Sequence, residues 1–250
     1  MLELNRQPQA AVHRHLTTAF AHSEAEIIEA QRLRYKVFAE EMGANLPSAK
    51  EGIDRDIFDS YCEHLLVRES MRYVPITLFS ALSPSQAGKI GGYYSETEFD
   101  LTRLMHLGDR MVEVGRSCVH RDFRDGATIT QLWGGLAQYM LQNGHEYLIG
   151  CASISMGDGG HVAASLYRKL HRLHAAPVEY SVFPRCPLPL HALNQHLDAP
   201  VPPLLKGYLR LGAYICGEPA WDPEFNTADL FILLPIARLS SRYAKHFLKA

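Results

Sequence analysis

One short segment of the sequence concentrates residue types that act in catalysis. Glu113, Arg116, Cys118 and His120 lie together in EVGRSCVH. Glu113 and Arg116 are three residues apart, so a regular strand places them on opposite faces, whereas a β-bulge at Gly115 returns both to one face. A carboxylate and a guanidinium in one cleft could deprotonate an amine and hold a carboxylate. A surface ion pair is the alternative that fits the spacing equally well.

Two Cys–His pairs offer a second kind of chemistry. Cys118 and His120, like Cys62 and His64, are two residues apart, so each pair shares one face of a strand. Such a pair could be the nucleophile and base of a thiol-dependent hydrolase, but a buried cysteine is more often an inert apolar side chain. The five cysteines are odd in number and form no CxxC pair. We therefore expect neither disulfides nor a bound metal.

Two polar clusters could bind substrates. The segment RDGAT at 124–128 lies between a strand and a helix, where free N–H groups could hold a phosphate or a thioester oxygen. An ordinary helix cap is the alternative. Asp54, Asp56 and Asp59 form an acidic cluster with Glu51 and Glu63 nearby. This cluster could hold a cationic amine or a metal, or it could be a solvated loop.

The elements that must position these residues alternate along the chain. Hydrophobic patterns predict strands at 12–20, 64–68, 76–82, 110–120, 147–154, 213–216 and 230–234, and helices at 24–41, 126–143, 161–172 and 204–211. The run 147–154 is almost wholly apolar, as in a strand buried on both faces. A proline-rich stretch at 177–203 predicts an insertion or linker outside the packed structure. Interleaved strands and helices indicate an α/β or α+β fold.

Composition excludes several classes of protein. The chain has 250 residues, of which 47% are hydrophobic and 21% charged, with a formal net charge of -2. These values are typical of a globular protein and give no basic excess for binding nucleic acid. The sequence shows neither an apolar signal-peptide core nor a run long enough to span a bilayer. We therefore expect a cytoplasmic protein that binds no nucleic acid.

The C-terminal segment 236–249 is a basic amphipathic tail. On a helix, apolar residues such as Ile236 and Tyr243 lie opposite basic residues such as Arg238 and Arg242. This pattern fits a helix lying on an anionic membrane surface, which would make the protein peripheral to the inner face of the cytoplasmic membrane. The alternative is that the same face packs on the protein's own sheet.

An ordered series of segments resembles the bacterial Nα-acyltransferases that form ornithine lipid, a branch of the GNAT superfamily related to acyl-homoserine-lactone synthases. The matching segments are RYKVF at 34–38, DIFDSYCEHLLV at 56–67, GGYYSETEFD at 91–100, EVGRSC at 113–118, LWGGL at 132–136, GCAS at 150–153, PLLKGYLRLG at 203–212 and FNTAD at 225–229. They follow the order of the family and cover the chain from about 30 to 235.

The resemblance implies a single GNAT-like domain over residues 1–250, with 1–11 as a loose arm. It implies a mixed, mostly antiparallel sheet that splays at its middle, where a pantetheine arm enters. The implied reaction moves a 3-hydroxyacyl group from acyl carrier protein to the α-amine of ornithine and forms a lyso-aminolipid. The acyl phosphopantetheine thioester is then a co-substrate, and no cofactor is expected.

The resemblance also assigns candidate site residues. Glu113 looks like the acid that takes up the amine proton, with Arg116 as its partner. The implied acceptor cleft contains Arg34, Phe38, Asp56, Asp59, His64 and Ser153, and the implied phosphopantetheine site contains Arg124, Gly126, Ala127 and Thr128. Lys89, Arg103, Arg121 and Arg124 are candidates for docking the acidic surface of the carrier protein.

Two departures from the family pattern leave alternatives open. The loop at 124–128 is shorter than the usual GNAT pyrophosphate loop, which favours a carrier protein over coenzyme A as donor. Ser80 stands where the family tends to have an arginine. Glutamine or glycine is therefore a possible acceptor, and a non-catalytic protein that binds acyl chains or the carrier is the rival interpretation.

Overall fold

The computed structural model describes residues 15–69 and 75–239. Its strands are β1 (Leu16–Phe20), β2 (Glu63–Glu69), β3 (Pro75–Leu82), β4 (Phe99–Asp100), β5 (Met111–Val119), β6 (Tyr147–Ser155), β7 (Phe183–Pro184), β8 (Tyr214–Ile215), β9 (Ala220–Asp222) and β10 (Thr227–Pro235). Its α-helices are α1 (Glu24–Tyr35), α2 (Pro84–Ile90), α3 (Gly126–Gln142), α4 (His161–His174) and α5 (Pro203–Leu211). The sequence patterns thus located the main elements to within a few residues.

The central sheet has the strand order β1-β2-β3-β5-β6-β10-β8, and β9 pairs with β10. Every pairing in it is antiparallel except that of β5 with β6, which is parallel. This confirms the expected mixed, mostly antiparallel sheet. The strands β4 and β7 form a separate two-stranded sheet.

Helix α1 begins at the N-cap residue Ser23 and ends in a π-helical turn. The Ser23 hydroxyl accepts the backbone N–H of Glu26, whose carboxylate accepts the backbone N–H of His22. Residues Lys36–Glu41 continue as π-helix, and the Met42 N–H donates to the Val37 carbonyl at 3.1 Å. Such turns often occur at functional sites.

The two faces of the central sheet are covered differently. Helices α3, α4 and α5 pack on one face, here the α3 face, over apolar residues such as Leu148 and Leu230. The opposite face, the α1 face, carries two separate apolar clusters. Leu33 of α1 packs on Leu66 and Leu78 at one end. The segment Thr102–Arg110 covers the other end over Ile149 and Phe231.

Strands β5 and β6 are paired only at their beginnings. Their register ends at the pair Glu113↔Ile149. At the next position a Cβ on Gly150 would collide with the Val114 carbonyl oxygen, so the two backbones still touch there. Beyond this contact the strands separate, as the resemblance implied, and the opening lies between the two clusters of the α1 face.

Two expectations about buried and loose segments were wrong. Strand β6 is not buried on both faces over its whole length, because Ser153 and Ser155 near its end are exposed. The proline-rich stretch is packed structure: Val182 and Leu188 are buried, and β7 within it pairs with β4. Prolines interrupted the periodic pattern here without preventing burial.

The terminal predictions concern residues mostly outside the described ranges. The arm at 1–11 and the tail from 240 onward are not described. Ile236 and Leu239, at the start of the tail, pack against the main core rather than facing outward. Membrane contact through this tail has no support in the described residues. In those residues no helix is both long and apolar enough to cross a bilayer.

Candidate active site

The gap between β5 and β6 forms a cavity of about 550 Å³. Its residues come from both faces of the sheet. The polar residues on the side of the α1 face include Asp56, Glu113, Arg116, Ser153 and Asp229. The apolar residues contributed by α3 and α5 include Ile129, Leu132, Leu204 and Tyr208. The cavity therefore has a charged part and an apolar part that meet at the opening in the sheet.

A β-bulge brings Glu113 and Arg116 into this cavity. The register of β3 with β5 passes from Leu78↔Cys118 to Ser80↔Gly115, so two residues of β5 oppose one residue of β3. The predicted bulge is thus present, but its unusual residue is Arg116, with φ of 53°, and not Gly115. A non-glycine residue in this region costs about 1–3 kcal/mol, which the surrounding contacts must offset.

Glu113 is a buried carboxylate held by one short turn. Its Oε2 accepts the Tyr94 N–H at 2.6 Å, and its Oε1 accepts the Ser95 N–H at 2.8 Å and the Ser95 hydroxyl. The side chain lines the cavity although only 3% of the residue is exposed. Burial raises the pKa of Glu113 to about 7, against the hydrogen bonds of Ser95 and Tyr94, which lower it. Near neutral pH it can both accept and release a proton.

Arg116 is fixed by one carboxylate and two aromatic rings. Its Nε and Nη2 donate to Asp56 Oδ2 at 3.1 Å and 2.7 Å. The guanidinium carbon lies 4.6 Å from the centre of the Tyr94 ring and 4.8 Å from that of Phe225. Phe225 also meets the ring of Phe38 edge-on. Charge pairing and stacking together fix the position of the arginine.

The acidic cluster 54–59 is divided between two arginines. Asp54 accepts Arg34 Nε at 2.9 Å, and Asp59 accepts Arg34 Nη1 at 2.5 Å. Gln31 donates a further hydrogen bond to Asp59. Arg34 is 0% exposed. Asp56 pairs with Arg116, whereas Asp54 and Asp59 share Arg34, so each acid of the cluster already contacts a cation and the three acids retain one net negative charge.

His64 forms two hydrogen bonds behind the wall of the cavity. Its Nε2 lies 3.1 Å from the Asp59 carbonyl, and its Nδ1 lies 2.9 Å from the Ser80 hydroxyl. Burial lowers the pKa of His64, so the ring is neutral, Nε2 donates to the carbonyl and Nδ1 accepts from Ser80. Ser80 itself lines the cavity.

This geometry gives the thiol-hydrolase interpretation no support. Both ring nitrogens of His64 are occupied, so it cannot serve Cys62 as a base. His120 accepts the Asp122 N–H through Nδ1, and burial raises the pKa of the Cys118 thiol to about 12. Neither cysteine has the electropositive surroundings that generate a thiolate.

The loop before α3 is capped by its own side chain. Asp125 accepts the Thr128 N–H at 2.9 Å, so a carboxylate occupies the place expected for a phosphate. Arg124 donates to Glu41 at 2.5 Å and to the Val119 carbonyl at 3.1 Å, and it lines the cavity. Of this loop, Arg124 is the residue that can meet a donor inside the cavity.

The candidate residues from the sequence are thus separated into two groups. Those lining the cavity are Phe38, Asp56, Asp59, Glu113, Arg116, Arg124 and Ser153. Those outside its lining are Arg34, His64, Gly126, Ala127 and Thr128. The sequence analysis gave no role to Tyr94, Ser95, Phe225 or Asp229. They lie in GGYYSETEFD and FNTAD, segments that already matched the family, and this match was the available signal.

Comparison with known proteins identifies the family. A family model described as acetyltransferase (GNAT) domain matches residues 33–134. The L-ornithine N(alpha)-acyltransferase of Brucella abortus is 37% identical, and the match covers 93% of this chain and 88% of the relative. That of Rhizobium meliloti is 36% identical, covering 93% of this chain and 84% of the relative. The chain belongs to the L-ornithine N(alpha)-acyltransferase family. It is an acyltransferase with a GNAT fold.

Solved structures share the fold of this family member. The AHL synthase LasI superposes with a TM-score of 0.52 at 11% identity, covering 94% of this chain and 95% of that chain. FeeM, an N-acyl amino acid synthase from uncultured soil microbes, superposes with a TM-score of 0.52 at 11% identity, covering 90% and 92%. At such identities the likeness concerns the fold alone.

Proposed function

We propose that this acyltransferase moves a 3-hydroxyacyl group from acyl carrier protein to the α-amine of ornithine. The observation that carries the proposal is Glu113, a buried carboxylate whose pKa is raised to about 7, in a cavity that joins a charged part to an apolar part. The relatives named L-ornithine N(alpha)-acyltransferase support ornithine as the acceptor. The products are the Nα-acylated amino acid and the free thiol of the carrier.

The nitrogen of the acceptor loses two protons in the reaction, the first of them before it attacks. The ammonium of the acceptor gives that proton to Glu113, directly or through a water, and the free amine attacks the thioester carbonyl carbon. As the new C–N bond forms and the C–S bond breaks, the nitrogen loses a second proton, which the leaving thiolate takes up to give the free thiol. A carboxylate with a pKa near 7 can accept a proton at neutral pH and return it to solvent in each turnover.

We place the acyl donor at the apolar part of the cavity. Ile129, Leu132 and Leu204 offer an apolar surface to a pantetheine arm or an acyl chain. Arg124 lies at this side with half of its side chain exposed. Because Asp125 caps α3, we assign no bound pyrophosphate to this helix. A carrier protein needs none there, since its single phosphate is held in a contact between the two proteins.

The surface cations predicted to dock the carrier fall into two groups. Arg121 and Arg124 lie beside the cavity at the end of β5. Lys89 and Arg103 lie on α2 and on Thr102–Arg110, two segments that contact each other. We propose the first pair as the docking site, because it adjoins the cavity that the pantetheine arm must enter.

The test is an assay of the purified full chain with matched donors and acceptors. The same 3-hydroxyacyl group is offered on acyl carrier protein and on coenzyme A, and ornithine, glutamine and glycine are offered as acceptors. Mass spectrometry of the products and kcat/KM for each pair are measured. We expect the carrier-linked donor with ornithine to give the highest kcat/KM, falling at high ionic strength.

The outcomes separate the parts of the proposal. Equal kcat/KM with coenzyme A overturns the carrier protein as donor. A higher kcat/KM with glutamine or glycine overturns ornithine, in line with Ser80 standing where the family tends to have an arginine. Product from no combination supports the non-catalytic rival. Arg124→Ala should raise KM for the carrier-linked donor, whereas Arg172→Ala, an exposed change on α4, should not.

A further inference from the structure

Asp229 lines the charged end of the cavity, and a second carboxyl group, Glu98, lies beside it just outside the lining. Ligand atoms of Glu98, Cys151 and Asp229 lie within 4.8 Å of one another. Both carboxyl oxygens of Glu98 and the Oδ1 of Asp229 are buried and have no hydrogen-bond partner. Asp229 is 4% exposed and its side chain lines the cavity. Buried polar atoms in proteins almost always have a partner, so this exception needs an explanation.

Cys151 and Ser95 lie between this pair and the proposed base, Glu113. The Ser95 hydroxyl that donates to Glu113 lies 3.4 Å from Cys151 Sγ. Cys151 also lines the cavity. Along β10, Thr227 lies on the same face as Asp229, lines the cavity, and has a buried hydroxyl with no partner. Three groups that can accept a hydrogen bond therefore meet beside Glu113.

The other acids of the cavity are already compensated. Asp56 pairs with Arg116, and Asp59 pairs with Arg34. Asp222 accepts the backbone N–H groups of Glu224 and Phe225 at 2.8 Å and 3.1 Å. Among the residues that the structure describes, no cation pairs with Glu98 or Asp229, whose polar neighbours are each other and the hydroxyls of Tyr94, Ser153 and Thr227.

Charge on this pair is suppressed when no cation is present. Burial and the nearby Asp229 raise the pKa of Glu98 to about 9, and burial raises the pKa of Asp229. A cation entering the pair would favour the ionised forms and so bind with a proton released.

We propose that Asp229 and Glu98 bind the side-chain ammonium of the amino-acid acceptor and select for diamino acids. The inference rests on the proposed function, since it adds a second anchor to the same acceptor. A primary ammonium has three N–H donors, which match Asp229, Glu98 and the Thr227 hydroxyl. Ornithine bound with its α-amine at Glu113 extends its δ-ammonium past Cys151 to this pair. Asp229 and Glu98 touch the non-reacting end of the substrate, so they determine specificity.

The test compares ornithine with norvaline, which has the same carbon skeleton without the terminal amine. We expect the wild-type kcat/KM for ornithine to exceed that for norvaline by about 10²-fold or more, because norvaline leaves buried acceptors without a partner. Asp229→Asn and Glu98→Gln should each lower this ratio by about 10-fold or more, chiefly through KM for ornithine. Asp198→Asn changes a highly exposed aspartate and should leave the ratio unchanged.

Folding and binding are checked separately. Thermal unfolding of each variant shows whether it folds, and the rise in Tm caused by added ornithine reports binding without catalysis. Thr227→Val keeps both charges and should raise KM for ornithine less than Asp229→Asn does. This variant keeps the inference testable if the loss of a carboxylate disturbs folding.

Each outcome has one meaning. Equal wild-type kcat/KM for ornithine and norvaline overturns the ammonium site while leaving N-acyl transfer intact. An unchanged ratio in both carboxyl variants overturns it as well. A tightly bound divalent metal in the purified protein, removed by Asp229→Asn, would show that the pair holds a metal instead. No acylated product from any amino acid would refute the proposed function itself.

Discussion

The guanidinium of Arg116 and the carboxylate of Asp56 join strand β5 to the loop before β2 across the cavity. Nη2 lies 2.7 Å from Oδ2, and the rings of Tyr94 and Phe225 lie against the same guanidinium. The ion pair is mostly buried, with 16% and 21% of the two side chains exposed. Because the backbone of Arg116 has φ of 53°, these contacts must hold a conformation that the residue would otherwise avoid. Arg116 thus positions the walls of the site around Glu113.

The first prediction replaces this arginine by a cation that cannot stack. Arg116→Lys keeps the charge and the positive φ, but it loses the two-nitrogen contact with Asp56 and the planar stacking on Tyr94 and Phe225. A lysine ammonium keeps part of the cation–π attraction, so the loss comes chiefly from the second hydrogen bond and the planar contact. We expect kcat/KM to fall at least about 10-fold. Arg172→Lys on α4 is the control, and activity within twofold of wild type in Arg116→Lys would contradict the role.

The second prediction concerns the pH dependence of catalysis. Glu113 must be ionised to accept a proton, and burial raises its pKa to about 7. The kcat/KM should therefore rise with pH up to about 7. Above that pH Glu113 is ionised and its ionisation causes no further rise. Glu113→Gln should lower kcat/KM by ~10²–10⁴-fold above pH 7, with a smaller difference from wild type at lower pH, and should abolish the rise with pH. The exposed Glu179→Gln is its control.

The variant Ser95→Ala tests the role of Glu113 by changing the pKa of its carboxyl group, which stays in place. The hydrogen bond from the Ser95 hydroxyl stabilises the ionised form and lowers the pKa of Glu113. Its loss should move the rising part of the pH profile to higher pH, so the variant is impaired more at pH 6 than at pH 9. Ser85→Ala, at an exposed serine of α2, should keep the wild-type profile. A uniform loss at all pH values would contradict the assignment.

The sequence located strand β5 and offered a bulge near Gly115 as one of two alternatives. A strand over 110–120 and a bulge near Gly115 together require Glu113 and Arg116 to share one face, and the structure has this arrangement. The identity of the strained residue was not predictable, because the contacts that hold Arg116 come from Asp56, Tyr94 and Phe225. Local spacing says nothing about partners so far away along the chain.

The acidic cluster shows the same limit. Three closely spaced aspartates suggested a site for an amine, but an arginine on α1 and an arginine on β5 divide them. The carboxyl groups without a cation, Glu98 and Asp229, are far apart in sequence. The pairing of β10 with β6 places Asp229 opposite Ser153, and the segment that precedes β4 brings Glu98 to it. Only the strand order and register reveal which acid is compensated and which is not.

The third prediction assigns Arg34 to stability. Its buried guanidinium contacts both Asp54 and Asp59, so Arg34→Gln leaves two buried carboxylates without a cation. Removing one partner of a buried pair typically costs about 3–5 kcal/mol. We expect a large fall in Tm near neutral pH, while Arg32→Gln, at an exposed site on the same helix, changes little. Normal Tm with a raised KM for ornithine would instead indicate direct substrate binding.

The stability lost in Arg34→Gln should depend on pH in a way that follows from the lowered pKa of Asp59. Burial by itself raises the pKa of Asp59, but the hydrogen bond and charge of Arg34 outweigh it and lower the pKa. The stabilisation is therefore present above the usual aspartate pKa and is lost as pH falls through the lowered value. The difference in free energy of unfolding between wild type and Arg34→Gln should be largest near pH 7 and shrink below about pH 4. A difference that grows on acidification would contradict the ion pair.

The fourth prediction concerns the point where β5 and β6 begin to separate. A Cβ at Gly150 would collide with the Val114 carbonyl oxygen, a backbone atom that cannot move aside cheaply, whereas a Cβ at Gly88 in α2 meets nothing within 4 Å. Gly150→Ala should therefore destabilise the protein by about 1–3 kcal/mol, a fall in Tm of several degrees. Gly88→Ala should stabilise it by about 0.5–1 kcal/mol, since alanine favours a helix interior.

The same substitution should also affect activity. Gly150 follows Ile149, the residue paired with Glu113, so forcing the strands apart there also displaces the proposed base. We expect Gly150→Ala to lose kcat/KM even at temperatures where it is fully folded, and equal activity of the two variants under those conditions would contradict the link between strand contact and catalysis.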